Sequence, residues 1–172
     1  MGRIVVTGGA GFVGSNLVAG LVALGADVVV VDDFFTGTRR ALPDIEIWEG
    51  SVTDFNLMHR VCRRADMVFH LACRNIIVST QNPLDDFRVN AGGALNVLLA
   101  ARDSNVQRVV YTSSCSVYGN QERMPIKETD PVSLLTPYAA SKYAGEAYCE
   151  AFQASYGLPT TVVRYSNVYG PG

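Results

Sequence analysis

The stretch Thr7–Gly14, which reads TGGAGFVG, decides how the rest of the chain is arranged. It follows the apolar run Ile4–Val6 and leads into the largely apolar segment 15–22, a pattern that predicts a strand turning sharply into a helix. Glycines at such a turn permit positive φ, let the backbone approach a diphosphate, and allow tight packing of helix on strand. The start of the helix offers unpaired N–H groups to an anion. A glycine repeat by itself is equally compatible with a purely structural turn.

The segment that follows the helix favours a cofactor-binding turn over a purely structural one. Asp27–Val31 is predicted to be a short buried strand, and it ends at Asp32, eighteen residues after Gly14. A dinucleotide-binding fold places at about this spacing a carboxylate that accepts the ribose hydroxyls. We therefore predict dinucleotide binding, and NAD rather than NADP, because a free carboxylate at Asp32 repels a 2′-phosphate. The basic residues Arg39 and Arg40 lie close by in the sequence and can reverse that preference.

The composition is typical of a single globular domain, with 172 residues, 48% hydrophobic and 17% charged. The net charge is −2, and the basic residues are scattered singly apart from Arg39-Arg40 and Arg63-Arg64. Such a chain has no basic field for nucleic acid or an anionic membrane. No apolar run approaches the length that spans a bilayer. We therefore expect no nucleic-acid or membrane partner and a cytoplasmic location.

The four cysteines, Cys62, Cys73, Cys115 and Cys149, form no C-x-x-C pair, and the sequence has only two histidines. This set does not match an ordinary zinc site, so we predict no metal. Buried free thiols are the simplest interpretation of the cysteines. A reactive nucleophile at Cys115 is the alternative, because it follows a strand in the region that we predict to be the active site.

Alternating strands and helices continue to the end of the sequence. The predicted class is α/β, a Rossmann-type doubly wound parallel sheet of order 3-2-1-4-5-6 with helices on both faces. We expect residues 1–172 to form one NAD-binding domain of this type. Further strands are predicted at 45–48, 66–72, 107–112 and 159–165, helices around 57–61, 83–99 and 137–157, and irregular segments at 73–82 and 120–136.

One predicted helix carries a pair of side chains suited to acid–base chemistry. Tyr138 and Lys142 stand at i and i+4, so they project from one helix face a single turn apart. A phenol with a pKa of about 10 becomes a usable base when a nearby ammonium and an oxidised nicotinamide favour the phenolate. Ser114, at the end of a predicted strand, is placed to hydrogen-bond the substrate hydroxyl that Tyr138 deprotonates. An unreactive surface Tyr–Lys pair is the competing interpretation.

Taken together, these motifs resemble the extended short-chain dehydrogenase/reductase superfamily, specifically its NAD-dependent nucleotide-sugar epimerase/dehydratase branch. The resemblance covers the sequence from Met1 to Gly172. Its elements are T-G-x-x-G-x-x-G at 7–14, Asp32, H-L-A at 70–72, S-S-x-x-V-Y-G at 113–119, P-Y-x-x-S-K at 137–142, and R-x-x-N-V-Y-G-P-G at 164–172.

The resemblance implies a role for each matching residue. The catalytic residues would be Ser114, Tyr138 and Lys142. Asp54 and Val52 would lie at the adenine, Asn90 would support the catalytic region, and Tyr165 would lie by the nicotinamide. The full expected cofactor set is Gly8, Gly11, Phe12, Val13, Gly14, Asp32, Asp33, Val52, Asp54, Leu71, Ala72, Asn90, Tyr138, Lys142 and Tyr165, and the expected substrate-binding set is Ser114, Ser116 and Asn167.

Within this branch, the residues that follow Ser114 separate the reactions. The dehydratases carry Asp-Glu after the Ser or Thr, and the decarboxylases carry a Glu before Val-Tyr-Gly, whereas this sequence has Cys115 and Ser116. The pattern is similar to that of the 4-epimerases, which oxidise C4 of a sugar such as that of UDP-glucose or UDP-galactose to a ketone and return the hydride to the other face. The loop 33–37 resembles decarboxylases, so a UDP-glucuronate decarboxylase, another dehydratase or reductase, and a non-catalytic NAD-binding module remain alternatives.

The sequence departs from the family in length. Family members are longer, and their carboxyl-terminal part binds the nucleotide and the sugar. This chain is therefore expected to be the cofactor half of such an enzyme, and turnover by this half alone is not expected. Small residues along the helix that carries Tyr138 indicate close packing on another element. We therefore expect a homodimer formed through the helices 84–102 and 138–156, with a nucleotide sugar as substrate.

Overall fold

Six parallel strands form the centre of the protein in a computed structural model that describes residues 2–170. Their order is β3-β2-β1-β4-β5-β6, which confirms the predicted Rossmann-type arrangement. Met1 and the last two positions of the carboxyl-terminal motif, Pro171 and Gly172, lie outside the described residues. The strands are β1 (Arg3–Thr7), β2 (Asp27–Asp32), β3 (Glu46–Glu49), β4 (Met67–His70), β5 (Arg108–Ser114) and β6 (Thr160–Tyr165).

The order of the strands creates a crevice at the carboxyl end of β1. This strand pairs with β2 on one side, where Val5 lies opposite Val29, and with β4 on the other, where Val5 lies opposite Val68. The connections leaving β1 and β4 therefore run in opposite directions along the sheet. Open α/β sheets bind their ligands at such a reversal.

Helices cover both faces of the sheet because side chains alternate along each strand. Ile4 and Val6 of β1 pack in a core cluster with Val18 of the first helix, whereas Val5 belongs to the larger cluster on the opposite face. The α-helices are α1 (Phe12–Ala23), α2 (Phe55–Cys62), α3 (Ile76–Gln81), α4 (Pro83–Asp86), α5 (Gly93–Asp103) and α6 (Pro137–Tyr156). In the part of the chain from 2 to 170, no helix is long and apolar enough to cross a membrane.

Two helical segments differ from the sequence-based expectation. The stretch 73–82 was expected to be irregular, but it contains α3, whose start is capped by Asn75: its side-chain oxygen accepts hydrogen bonds from the backbone of Ile77 and Val78, both at 3.0 Å. The predicted helix 83–99 is present but interrupted, since a turn of π-helix at Phe87–Gly92 separates α4 from α5. That π-helical turn carries Asn90, one of the expected site residues, and π-turns are common at functional sites.

The first turn of α1 packs so closely against the glycine turn that one added methyl group should destabilise the fold. A Cβ on Gly14 would stand 2.2 Å from the carbonyl oxygen of Gly8. We expect Gly14→Ala to lower the free energy of unfolding by about 2–3 kcal/mol in urea denaturation. Gly20 in the same helix is the matched control, since its Cβ would meet no described atom within 4 Å. Gly20→Ala should be neutral or stabilising by up to about 1 kcal/mol, and equal effects of the two substitutions would contradict the steric explanation.

Candidate active site

The crevice beyond β1 is a cleft of about 340 Å³ formed by the glycine turn, the loop after β2 and the loop after β4. Ten of the fifteen expected cofactor residues line it: Gly8, Gly11, Phe12, Val13, Gly14, Asp32, Asp33, Val52, Leu71 and Ala72. The cleft is also lined by residues that were not in the expected set, among them Phe35, Gly37, Ser51, Cys73 and Arg74. The carboxyl ends of neighbouring parallel strands converge here, which explains why segments distant in the sequence share one wall.

The glycine turn has the geometry of an anion cradle. Gly8 has φ +69°, and a Cβ there would lie 2.6 Å from the backbone nitrogen of Ala72, so only glycine fits both the conformation and the space. Gly11 stands at the N-cap of α1, and among residues 2–170 no side chain caps that end. The first N–H groups of α1 therefore face the cleft without a side-chain partner, as a diphosphate requires.

Asp32 ends β2 with its side chain buried in the wall of the cleft, where only 7% of the residue is exposed. Its Oδ2 accepts a hydrogen bond from the backbone of Ala10 at 2.8 Å, and its Oδ1 accepts one from Phe34 at 2.8 Å. These bonds tie the end of β2 to the glycine turn. A carboxylate has about four acceptor positions, so the two oxygens retain capacity for ribose hydroxyls.

Two of the expected cofactor residues have other contacts. Asp54 is not among the described residues that line the cleft: its Oδ1 accepts a hydrogen bond from Leu57 at 2.9 Å and caps the start of α2. Ser51, three residues earlier, lines the cleft instead. Asn90 is only 1% exposed; its Oδ1 accepts a hydrogen bond from the Arg74 N–H, and its Nδ2 donates one to the Arg74 carbonyl. In this structure Asp54 caps a helix and Asn90 holds the backbone of Arg74, and their roles toward a cofactor stay predictions.

Ser114 and Tyr138 come together next to the cleft, at the carboxyl end of β5. Thr136 and Pro137 start α6 just before Tyr138, with the Thr136 hydroxyl accepting a hydrogen bond from Ala139 at 3.0 Å. Burial and, to a smaller extent, the neighbouring Cys73 raise the pKa of Tyr138 to about 12, and the nearby Ser114 side chain opposes the shift. The phenol is therefore protonated at neutral pH until a positive charge stabilises its phenolate.

Lys142 lies one turn further along α6 and is almost completely buried, with 2% of the residue exposed. Its Nζ stands 4.8 Å from the centre of the Tyr111 ring, and the Tyr111 hydroxyl donates a hydrogen bond to the Lys142 carbonyl at 3.1 Å. Burial lowers the pKa of Lys142. A lysine that is kept almost dry on the same helix face as Tyr138 argues against the interpretation of an unreactive surface pair.

The remaining expected site residues lie at the ends of β5 and β6. Ser116 follows Ser114 in a short 3₁₀ turn, where its backbone N–H donates to the Ser114 hydroxyl at 3.1 Å. Tyr165 pairs in register with Ser114 across β5 and β6. Asn167, two residues beyond β6, is exposed. Tyr138, Lys142 and Tyr165 are not among the described residues that line the cleft of the glycine turn, so the site has two parts.

Two buried polar networks around these residues could not be assigned from the sequence. In the first, Asp86 is 2% exposed, and its Oδ1 accepts hydrogen bonds from Ser79 at 2.6 Å, Asn90 at 2.6 Å and Ser141 at 2.9 Å. Because Ser141 precedes Lys142, this network fixes the start of α6 against α4. The only sequence signal was Asn90, a polar residue within an apolar stripe that required a buried partner.

The second network holds the strand that carries Ser114. Arg164 donates to both carboxylate oxygens of Glu146, at 2.9 and 2.6 Å, and to the Tyr118 hydroxyl at 2.6 Å. Glu146 also accepts a hydrogen bond from Ser113, the neighbour of Ser114. The pair joins α6 to β5 and β6. Arg164 opens the last motif, but nothing in the sequence identified Glu146 as its partner.

The histidine and cysteines of the region differ in their burial. His70 is 2% exposed, its Nδ1 lies 2.7 Å from the Thr7 hydroxyl, and burial followed by the charge of Lys142 lowers its pKa to about 3. It is therefore a neutral strand-end residue. Cys62 and Cys149 are buried as expected, with pKa values that burial raises to about 12. The expectation of buried thiols is wrong for Cys73, which is exposed, and for Cys115, which is half-buried.

Comparison with known proteins shows the same organisation. Residues 4–172 match the NAD dependent epimerase/dehydratase family. The putative UDP-glucose 4-epimerase of Methanocaldococcus jannaschii is 36% identical over 171 residues, which cover 97% of this chain and 56% of that protein.

Solved structures agree closely with the fold. The UDP-glucose 4-epimerase of Thermus thermophilus in complex with NAD has a TM-score of 0.94 and 40% identity, covering 98% of this chain and 56% of that one. The enzyme of Thermotoga maritima with UDP-glucose has a TM-score of 0.95 and 37% identity, covering 98% and 57%. The chain thus spans about half the length of the relatives it matches.

Proposed function

Because the chain belongs to the NAD-dependent epimerase/dehydratase family, we propose that residues 1–172 form the NAD-binding domain of a nucleotide-sugar 4-epimerase. The observation that carries the proposal is the almost completely buried Lys142 one turn along α6 from Tyr138, with the Ser114 side chain near the phenol and the glycine cleft beside them. The matched proteins described above are named UDP-glucose 4-epimerases, which supports UDP-glucose and UDP-galactose as the substrate pair.

The cleft fits NAD in three respects. The uncapped start of α1 suits the diphosphate, the glycine at Gly8 leaves room for its approach, and the Asp32 carboxylate suits the adenosine ribose. When bound, NAD would supply a hydride acceptor for a sugar carbon and a positive ring that favours a phenolate. Leu71 and Ala72 would form the opposite wall of its site.

The chain's own residues would then handle the proton. Tyr138 accepts the proton of the sugar 4-hydroxyl as that carbon is oxidised, and returns it when the ketone is reduced. Ser114 hydrogen-bonds the same oxygen, and the ammonium of Lys142 favours the charged form of Tyr138. Cys115 and Ser116 add no carboxyl group, so the site lacks the additional acid or base that dehydration or decarboxylation needs. This absence favours epimerisation.

The same proposal includes a homodimer. An apolar groove of about 340 Å³ lies between α6 on one side and the π-helical turn and α5 on the other. It is lined by Phe87, Ala91, Leu95, Ala144 and Tyr148. Leu84 and Phe87 are 57% and 63% exposed at its edge. Apolar surface of this kind on two neighbouring helices is typical of an interface between copies.

A cytoplasmic location is also part of the proposal, since the four free thiols suit a reducing compartment.

Calorimetric titration with NAD and NADP tests the cofactor assignment on the 172-residue chain. We expect NAD to bind at least about tenfold more tightly than NADP, because the Asp32 carboxylate repels a 2′-phosphate. Asp32→Asn should reduce the difference in affinity between NAD and NADP. Asp44→Asn is the control, because Asp44 is an exposed acid in the loop before β3, and it should leave that difference unchanged. Binding of neither nucleotide, or a preference for NADP, would refute the assignment of NAD.

A further inference from the structure

Arg74 lies in the loop after β4, and its side chain joins two parts of the cleft that are far apart in the sequence. Its Nη2 donates a hydrogen bond to Asp33 at 3.0 Å, and its Nε donates one to Asp85 of α4 at 2.8 Å. The guanidinium carbon also stands 4.0 Å from the centre of the Phe35 ring. Only 11% of the Arg74 side chain is exposed. Asp33, Arg74 and Asp85 therefore form a bridge, the Arg74 bridge, between the loop after β2 and α4.

The backbone of Arg74 is held as firmly as its side chain. Its N–H donates to Oδ1 of Asn90 at 2.7 Å, and its carbonyl accepts from Nδ2 of Asn90 at 3.1 Å. The same amide nitrogen of Asn90 contacts Ser141 of α6 at 3.2 Å. The guanidinium is therefore aimed by a fixed backbone, which lowers the entropy cost of forming the bridge.

The bridge lies between two cavities. On one side is the cofactor cleft, whose wall includes Asp33, Phe35 and Arg74. On the other side is a groove of about 530 Å³ that Arg74 and Asp33 also line, together with Asp85 and Arg88. Asp85 lines only the groove, not the cleft, among the residues that the structure describes. The Arg74 bridge thus closes the cleft at the end where Asp32 stands.

We propose that Arg74 is a positioning residue for the cofactor: its bridge holds the loop after β2 closed over the adenosine half of a bound dinucleotide and so prolongs the stay of NAD. The inference rests on the proposed NAD binding. An epimerase returns the hydride it has removed, so the cofactor must remain bound through each cycle. The guanidinium also offsets the negative charge of Asp33, which would otherwise add to that of Asp32 beside the incoming diphosphate.

The experiment compares NAD dissociation from variants of the full chain by stopped-flow and calorimetry. Arg74→Met keeps an apolar side chain over Phe35 but removes the bridge, and we expect the dissociation constant and the dissociation rate of NAD to rise about tenfold, the loss of about one charge-assisted hydrogen bond. ADP-ribose, which keeps the adenosine and the diphosphate but lacks the nicotinamide ring, should lose affinity by the same factor. Arg74→Lys keeps the positive charge but lacks the planar guanidinium that reaches both carboxylates. Its NAD dissociation rate should lie between those of the unaltered chain and Arg74→Met.

Asp85→Asn separates positioning from direct contact, because Asp85 does not line the cleft. Asp85→Asn should also raise the NAD dissociation rate. The double variant Arg74→Met/Asp85→Asn should release NAD no faster than Arg74→Met alone, because both substitutions remove the same bridge. Arg3→Met is the matched control: Arg3 bridges Asp27 at 3.0 Å and Glu46 at 2.6 Å at the opposite end of the sheet, so its loss should leave NAD dissociation unchanged.

Each outcome of these measurements either supports or overturns the role of Arg74. Unchanged dissociation rates in Arg74→Lys and Asp85→Asn, or additive effects in the double variant, would overturn the inference even if Arg74→Met failed to fold. An equal effect of Arg3→Met would do the same, since it would indicate a general loss of stability. If the unaltered chain binds NAD and these variants release it faster, the inference stands. If the unaltered chain binds no NAD, the proposed function fails, and this inference with it.

Discussion

Tyr138→Phe is expected to lower epimerase turnover by about 10²–10⁴-fold while leaving NAD binding nearly unchanged. The substitution removes only the oxygen that takes the proton from the sugar hydroxyl, and the aromatic ring still fills its place beside Ser114. Because the hydroxyl has the raised pKa of about 12 that burial produces, it acts as a base only with the help of nearby positive charge.

Turnover can be measured as interconversion of UDP-glucose and UDP-galactose, with residues 1–172 joined to the carboxyl-terminal half of one of the matched epimerases. Tyr143→Phe is the control, because Tyr143 lies on the same helix but lines a groove against β6. That control should retain the turnover of the unaltered chimaera. If Tyr138→Phe retained it as well, the phenol would not be the base, and the alternative of a non-catalytic NAD-binding module would gain support.

Acid is expected to destabilise the fold through His70. In the folded chain burial lowers the pKa of His70 to about 3, whereas an unfolded chain has the ordinary value near 6.5. Between these values the unfolded state binds more protons, so stability falls as the pH falls. At 1.36 kcal/mol per pH unit, the loss attributable to His70 is about 3 kcal/mol at pH 4.5 relative to pH 7.5. Above pH 6.5 the contribution is constant.

Urea denaturation of the ligand-free chain between pH 4.5 and pH 7.5 measures this loss. His70→Gln keeps a polar group near the Thr7 hydroxyl but cannot titrate, so its stability should fall much less over the same range. His59→Gln is the control, because His59 lies on α2, 3.6 Å from the Asp103 carboxylate, and its replacement leaves His70 in place. A pH dependence in His70→Gln equal to that of the unaltered chain would show that other groups cause the acid sensitivity.

The parts of the fold that depend on local pattern could be predicted from the sequence. Buried strands such as Asp27–Asp32 and the glycine turn at Gly8 have signatures within a few residues, and the alternation of strands and helices limits the sheet to few orders. The helix 76–81 was missed because its start depends on one capping side chain, Asn75, in a segment without an apolar stripe.

The side-chain networks of the site could not be predicted in the same way. Arg74 and Asp33 are 41 positions apart, and Ser141 and Asp86 are 55 apart, so their contacts exist only after the sheet has assembled. The predicted role of Asp54 at the adenine is open to two outcomes for a related reason. A carboxylate just before a helix can cap it or face a ligand, and only the path of the chain between Ser51 and Phe55 decides which.

The edge of the sheet at β6 has a consequence for handling the protein. In the part of the chain that the structure describes, β6 has a neighbouring strand on one side only, and Thr161 and Val162 are exposed along it. The opposite edge, β3, carries Glu46 and Glu49, whose charges discourage pairing with another chain. β6 has no acidic residue, so in the 172-residue chain this edge is the more open of the two to pairing with another strand. Acidic substitutions at Thr161 or Val162 would be the first remedy for poor solubility.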